Sequence, residues 1–352
     1  MTNFTKTKIV ATIGPSSNNK EMLLALIAAG VNVFRLNFSH GTHEQHEKVI
    51  HFIHEINSET NGNIGILADL QGPKIRLGEV ENNKIEVKKG DIIELTTQKC
   101  ISTAKCLYIT YSELAMDVKS GDKVLIDDGK IELQVISTNG IDKLKAKVIY
   151  GGAISSKKGV NLPNTNVSSP ALTPKDINDL KFILEHHVNW IALSFVRTAD
   201  EILRLKGMID YKQHGARVIA KIEKPQALKN IDAIIHAADA IMVARGDLGV
   251  EMPLEQIPTI QKELVRKCVS AAKPVIIATQ MMESMIQNAS PTRAEVTDIA
   301  TAIFNGADAL MLSGETAVGK HPIKVISTMK KVIQTIEQED DNIRFFDHRR
   351  ED

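Results

Sequence analysis

Trp190-Ile191-Ala192-Leu193-Ser194-Phe195, a helically spaced stretch over residues 198–213, and Arg217-Val218-Ile219-Ala220-Lys221-Ile222 together decide the fold. Two short apolar, β-branched runs flanking one helix read as parallel strands joined by a crossover. Working outward, similar runs recur at residues 8–13, 31–36, 64–68, 240–243, 274–278 and 309–312, which makes eight. Helical spacing is expected over residues 20–29, 42–59, 174–187, 254–272, 290–305 and 322–337. Eight strand–helix repeats predict an α/β fold, a (β/α)₈ TIM barrel.

One interval breaks the rhythm. Between residues 73 and 170 the sequence alternates, as in Lys84-Ile85-Glu86-Val87-Lys88, and turn pairs such as Asn82-Asn83, Asp128-Gly129 and Asn139-Gly140 punctuate it. This predicts a small β-barrel domain inserted after strand three. Residues 1–72 and 171–345 are then a discontinuous barrel domain, residues 73–170 an inserted β lid, and residues 161–170 the link back.

Composition narrows the function. Lys plus Arg and Asp plus Glu both number 43, so the formal net charge is zero. A general nucleic-acid or anionic-membrane binder is not expected from that balance. Three cysteines give neither a disulfide framework nor a zinc motif. With no apolar run of about 18 residues, a cytoplasmic location is expected.

In a barrel of this kind, chemistry gathers at the C-terminal ends of the strands. Those ends carry Arg35, Asn37, Ser39 and His40; Asp69; Lys221 and Glu223; Arg245, Gly246 and Asp247; Thr279; and Ser313, Gly314 and Glu315. Glu223 and Asp247, on neighbouring strands, read either as hard oxygen ligands for Mg²⁺ or as salt-bridge partners. Lys221 shares a strand face with Glu223. It stabilises a developing oxyanion there, or it is a structural lysine. An inward Arg35 needs an anion, either a substrate phosphate or carboxylate or the nearby Asp69. Gly246 lets backbone donors approach a small anion. His43, His46, His51 and His54 fall on one expected helix and read as a solvated face in preference to a metal site.

Taken together, these segments resemble the pyruvate kinase family. The resemblance rests on residues 8–17, on Arg35-Leu36-Asn37-Phe38-Ser39-His40-Gly41, Gly72-Pro73-Lys74-Ile75-Arg76 and Lys157-Lys158-Gly159, and on residues 221–223, 242–249, 278–281 and 311–317. It implies transfer of the phosphoryl group of phosphoenolpyruvate to ADP, giving pyruvate and ATP, with Mg²⁺ or Mn²⁺. By the same resemblance Arg35 holds the phosphoryl group, Glu223 and Asp247 hold the metal, and Gly246, Asp247 and Thr279 hold the substrate carboxylate. Lys221 neutralises the migrating phosphoryl and the enolate oxygen it leaves. Arg76, Lys158 and His40 meet the nucleotide. Thr279, Ser313 and Glu315 lie where a proton relay to the enolate carbon could run. Family members form dimers or tetramers through barrel helices, which is expected here too.

Two departures shape the expectation. Potassium-dependent relatives typically carry Thr, Lys and Glu where this chain has Leu70, Gln71 and Lys74. Asn37, Ser39, Asp69 and Leu70 would surround the monovalent cation. An ammonium at Lys74 is expected to replace K⁺, giving activity without it. The family's usual C-terminal regulatory domain is also expected to be absent. In addition, Gln45 stands where many relatives have an aromatic residue near the adenine. Two other classes fit parts of the pattern: a metal-dependent lyase or aldolase working through an enolate of pyruvate, and a non-catalytic descendant. The first needs no ADP and leaves Arg76 and Lys158 without a role.

Overall fold

The computed structural model describes residues 5–163 and 165–347; residues 1–4, 348–352 and Asn164 of the linking stretch lie outside the described residues. The chain opens with β1 (Lys8–Thr12), α1 (Lys20–Ala29), β2 (Val33–Asn37), α2 (His43–Thr60) and β3 (Gly65–Asp69). Helix starts follow their capping residues. The Asn19 side chain accepts from Met22 N, and Thr42 forms a reciprocal box with Gln45.

A β-rich segment follows: β4 (Ile85–Val87), β5 (Ile92–Thr96), β6 (Cys106–Tyr108), α3 (Leu114–Asp117), β7 (Lys123–Ile126), β8 (Ile131–Thr138), β9 (Lys143–Tyr150), β10 (Gly152–Ile154) and β11 (Val160–Asn161). Six of these strands form one sheet in the order β11-β7-β8-β9-β5-β6, and β10 pairs with β4. Pairing is antiparallel except between β5 and β6. The alternation along β9, exposed lysines against buried Leu144, Ala146 and Val148, gives this unit its own apolar core.

The rest of the chain runs α4 (Pro174–Ile183), β12 (Trp190–Leu193), α5 (Ala199–Tyr211), β13 (Arg217–Ile222), α6 (Pro225–Lys229), α7 (Ile231–Ala237), β14 (Ala240–Ala244), α8 (Arg245–Glu251), α9 (Ile257–Ser270), β15 (Val275–Ala278), α10 (Arg293–Phe304), β16 (Ala309–Leu312), α11 (Gly314–Ala317) and α12 (Pro322–Asp347). Eight parallel strands close into a barrel in the order β1-β16-β15-β14-β13-β12-β3-β2. Its interior is packed by Val10, Leu67, Ile219, Met242, Ile276 and Met311 among others. Each such side chain withdrawn from water contributes about 1.5–3 kcal/mol. The interior is therefore a core, and chemistry is left to the rim.

The chain divides into two compact units. One comprises residues through Gln71, Pro174–Gly246 and those from Pro258; the other is Gly72–Thr173 with Asp247–Ile257. The segment Asp247–Ile257 thus groups with the β-rich unit, although a barrel pattern read from sequence assigns it to the barrel. Three further differences concern helices. Helix α4 ends at Ile183, short of the expected residue 187, and Arg245 to Glu251 is a short helix, not a turn. Helices α6 and α7 fill a gap where none is expected. Among the described residues no helix is long and apolar enough to cross a membrane.

Candidate active site

Parallel closure brings the C-terminal ends of β2, β3, β12 and β13 side by side, with Asn37 opposite Asp69 and Ala192 opposite Asp69 in register. Arg35, Asp69, Lys221 and Glu223 thereby meet in a largely buried cluster, none more than 8% exposed. Asp69 is its hub. One carboxylate oxygen accepts from Arg35 Nε at 2.6 Å, and the other lies 3.1 Å from Lys221 Nζ. Burial alone would push the Asp69 carboxyl upward; Lys221 and Arg35 outweigh it and hold it below the usual carboxylate range. The sequence left Arg35 with two readings, and the structure joins it to Asp69. Arg35 Nη1 donates to Thr12 Oγ1 at 3.0 Å. Its Nη2 has no protein partner among the described residues, so donors remain for an outside anion.

Lys221 Nζ is 2.7 Å from Ser194 Oγ and 3.0 Å from Glu223 Oε1. Ser194, at the end of β12, donates in turn to Leu70 O at 2.7 Å. The second Glu223 oxygen accepts from Phe195 N at 2.7 Å, a donor aimed by Phe195's left-handed backbone (φ +56°). Glu223 is thus a preoriented carboxylate, an oxygen donor of the kind that fits a hard divalent ion. Asp247 follows β14, whose Val243 pairs with Ile222, and lies in the first turn of α8.

Further round the rim, Gly246 N donates to Thr279 Oγ1 at 2.7 Å. A Cβ on Gly246 would sit 3.3 Å from that oxygen, so the close approach favours glycine. Thr279 itself has φ +72°, unusual for a β-branched residue and typical of a strained functional position. Arg245 fixes this corner by donating to Asp298 and to Thr279 O.

Glu315 is fully buried, and its two oxygens accept from Met282 N and Ser313 N at 3.1 and 2.7 Å. That arrangement makes it a clamp between the ends of β15 and β16. Glu315→Ala should therefore lower Tm along with kcat, because the buried Met282 N–H loses its acceptor at about 1–3 kcal/mol and the half-buried Ser313 N–H loses its own at a smaller cost. A kcat loss with Tm unmoved would assign it to proton transfer alone.

Beside the cluster, a cavity of about 640 Å³ is lined by Gly14, Pro15, Asn37, His40, Gln45 and His46, among others. His46 stacks on Phe38 and its Nε2 donates to His40 O at 2.9 Å. Burial holds its pKa below the ordinary histidine value, in keeping with a neutral ring. Asn37 Oδ1 accepts from Ser39 N, and Leu70 is buried.

In the β-rich unit, Arg76 pairs with Gly159 across a bridge and donates to Lys157 O at 3.2 Å, while Lys158 reaches Asp127 at 2.8 Å. Both expected phosphate contacts therefore lie on adjoining segments. Lys74 is exposed and its side chain has no ion-pair or hydrogen-bond partner among the described residues. A structural salt bridge does not account for it. Ser194 and Thr12 are rim residues that sequence reasoning missed; a lone hydroxyl at the end of an apolar run gives no periodic signal.

A parallel barrel whose rim buries two cations against two carboxylates defines a class: a (β/α)₈ protein with its charged groups gathered at the C-terminal ends of the strands. The particular family follows from comparison. Residues 4–326 match the family model described as pyruvate kinase, barrel domain, and the chain belongs to that family. It is 48% identical over 340 residues to pyruvate kinase 2 of Synechocystis, an alignment covering 96% of this chain and 58% of that protein. It is 47% identical over 330 residues to pyruvate kinase of Mycobacterium intracellulare, covering 94% and 70%. A crystal structure of a pyruvate kinase from Cryptosporidium parvum superposes with a TM-score of 0.90 at 40% identity, covering 95% of this chain and 70% of that one. This chain thus spans a little over half to about two thirds of its relatives' length.

Proposed function

We propose that this chain transfers the phosphoryl group of phosphoenolpyruvate to ADP, yielding pyruvate and ATP, as the final step of glycolysis. The observation that carries the reading is the buried Arg35–Asp69–Lys221–Glu223 cluster at the rim. Its four charges cancel, so an anionic substrate gains little from the protein's own charge. Glu223 and Asp247 would hold Mg²⁺, which would supply the positive excess that an anionic substrate needs. Arg35 then orients the phosphoryl group through its remaining donors, and Gly246, Asp247 and Thr279 hold the carboxylate end. Lys221 faces the charge that builds between the departing enolate oxygen and the phosphoryl group. Arg76, Lys158 and His40 take the nucleotide. Thr279, Ser313 and Glu315 are the candidates for a proton relay to the enolate carbon. A cytoplasmic location and self-association through barrel helices accompany this reading.

A lactate-dehydrogenase-coupled assay, run with and without ADP and Mg²⁺, tests it directly. Pyruvate should form only when phosphoenolpyruvate, ADP and Mg²⁺ are all present. Release of pyruvate without ADP would sink the kinase reading and favour a lyase.

Potassium independence is a separate expectation, argued from Lys74 standing where potassium-dependent relatives have glutamate. In sodium- and potassium-free buffer, wild-type activity should not rise on titrating KCl. Lys74→Glu should lose about 10-fold, equivalent to about 1.4 kcal/mol, and regain it with K⁺. Strong activation of the wild type by K⁺ would refute the substitution.

A further inference from the structure

Helix α2 carries four histidines that the sequence reading places on one solvated face. The structure divides them. His43 Nε2 meets Asp179 Oδ1 at 2.8 Å, and His46 holds His40 O beside the cavity. His51 does neither. Glu47 precedes it by four residues and so shares its helix face. Opposite them, the loop after α4 presents His186. One ligand atom from each of Glu47, His51 and His186 lies within 4.8 Å of the other two.

Among the described residues, none of the three side chains has a hydrogen bond or ion pair. His186 is nonetheless held in place. Its carbonyl accepts from His214 Nε2 at 2.8 Å, while His214 Nδ1 accepts from Ala216 N. Its ring packs on Phe182 at 4.4 Å and stands edge-on to His51 at 6.3 Å. A preformed pair on a rigid helix and a third donor on an anchored loop make a metal site more than a chance gathering.

We infer that Glu47, His51 and His186 bind one late first-row divalent cation, with Zn²⁺ the ion that suits them best. Two imidazoles and a carboxylate form a borderline donor set, preferred by Zn²⁺ and its neighbours and poorly matched to Mg²⁺. Three protein ligands leave a fourth position for water. Ligand atoms on tetrahedral Zn²⁺ sit about 3.3 Å apart. Closing from 4.8 Å therefore asks for movements of about 1.5 Å. Side-chain rotation supplies that, since Glu47 and His186 are only partly buried and His51 is exposed. The site belongs to the outer helical layer, on α2 and the loop feeding the N-terminal end of β12. Glu223, by contrast, follows the C-terminal end of β13. A bound ion ties that loop to α2, whose Gln45, His46, Lys48 and Val49 line the cavity.

Calorimetric titration of Zn²⁺ into the full chain, with Mg²⁺ saturating throughout, tests the inference. Wild type should take up one Zn²⁺ per chain at this site. His51→Asn should weaken that binding by more than about 100-fold, beyond the loss typical of an outer-sphere change. Glu47→Gln should weaken it by at least about 10-fold. Both variants should keep wild-type turnover in Mg²⁺ and wild-type Tm without zinc, whereas zinc should raise the Tm of wild type more than that of either variant. Charging wild type with Co²⁺ should give visible d–d bands that His51→Asn lacks. Unchanged zinc affinity and stoichiometry in His51→Asn, or no zinc binding by wild type, would overturn the assignment.

Discussion

Lys221→Met is expected to lower kcat by about 10²–10³-fold while the barrel stays folded. That range corresponds to about 2.7–4 kcal/mol, the scale of losing one preorganised donor to a developing oxyanion. The ammonium sits within 3.1 Å of Ser194 Oγ, Asp69 Oδ1 and Glu223 Oε1, so its position is set before substrate arrives. Methionine fills similar space without the charge. Arg35 still engages Asp69 and keeps donors for the phosphoryl group, so substrate affinity should fall less than turnover. Lys221→Arg should not rescue, because a planar guanidinium cannot reproduce three donors from one nitrogen. Steady-state kinetics with phosphoenolpyruvate varied, alongside thermal unfolding, separates the two effects. A kcat within 10-fold of wild type would mean that the charge at this position does not act on the transition state.

Why Lys221 could be named from sequence, and Ser194 could not, is a matter of signal. A lysine or arginine in a buried strand is costly enough to demand an explanation, which made Arg35, Lys221 and Glu223 legible. A serine in Trp190-Ile191-Ala192-Leu193-Ser194 carries no such penalty. The strands were readable for a similar reason: β13 and β16 occupy the expected residues because runs buried on both faces stand out against polar helices. Helices α6 and α7 were obscured by Pro225, which looks like a breaker but occupies the first turn of α6. Glu315 reads from sequence as part of a proton relay, and only tertiary structure adds the two backbone N–H groups from which it accepts. Asp69 was noted as a cation ligand and as one of two anions open to Arg35, but its simultaneous contact with Lys221 depends on strand register, which no local pattern encodes.

That central place makes Asp69→Asn the substitution with the largest expected effect on stability, about 3–5 kcal/mol. The amide keeps the shape but cannot compensate two cations that are 8% exposed at most. At roughly 1.4 °C per kcal/mol for a chain of this size, Tm should fall by roughly 4–7 °C. The acid limb gives a second readout. The folded carboxyl is held below its usual value, so its contribution is complete above the ordinary carboxylate pKa. It is lost as pH falls through the lower folded value. Wild type and variant should therefore differ fully at neutral pH and converge on acidification. The double variant Asp69→Asn with Lys221→Met removes one charge of each sign. It should lie closer to wild type in Tm than the sum of the single losses, by a coupling of about 0.5–3 kcal/mol. Strict additivity would show that the two side chains are neighbours without being electrostatic partners, and the charge-balance account of the rim would fail with it.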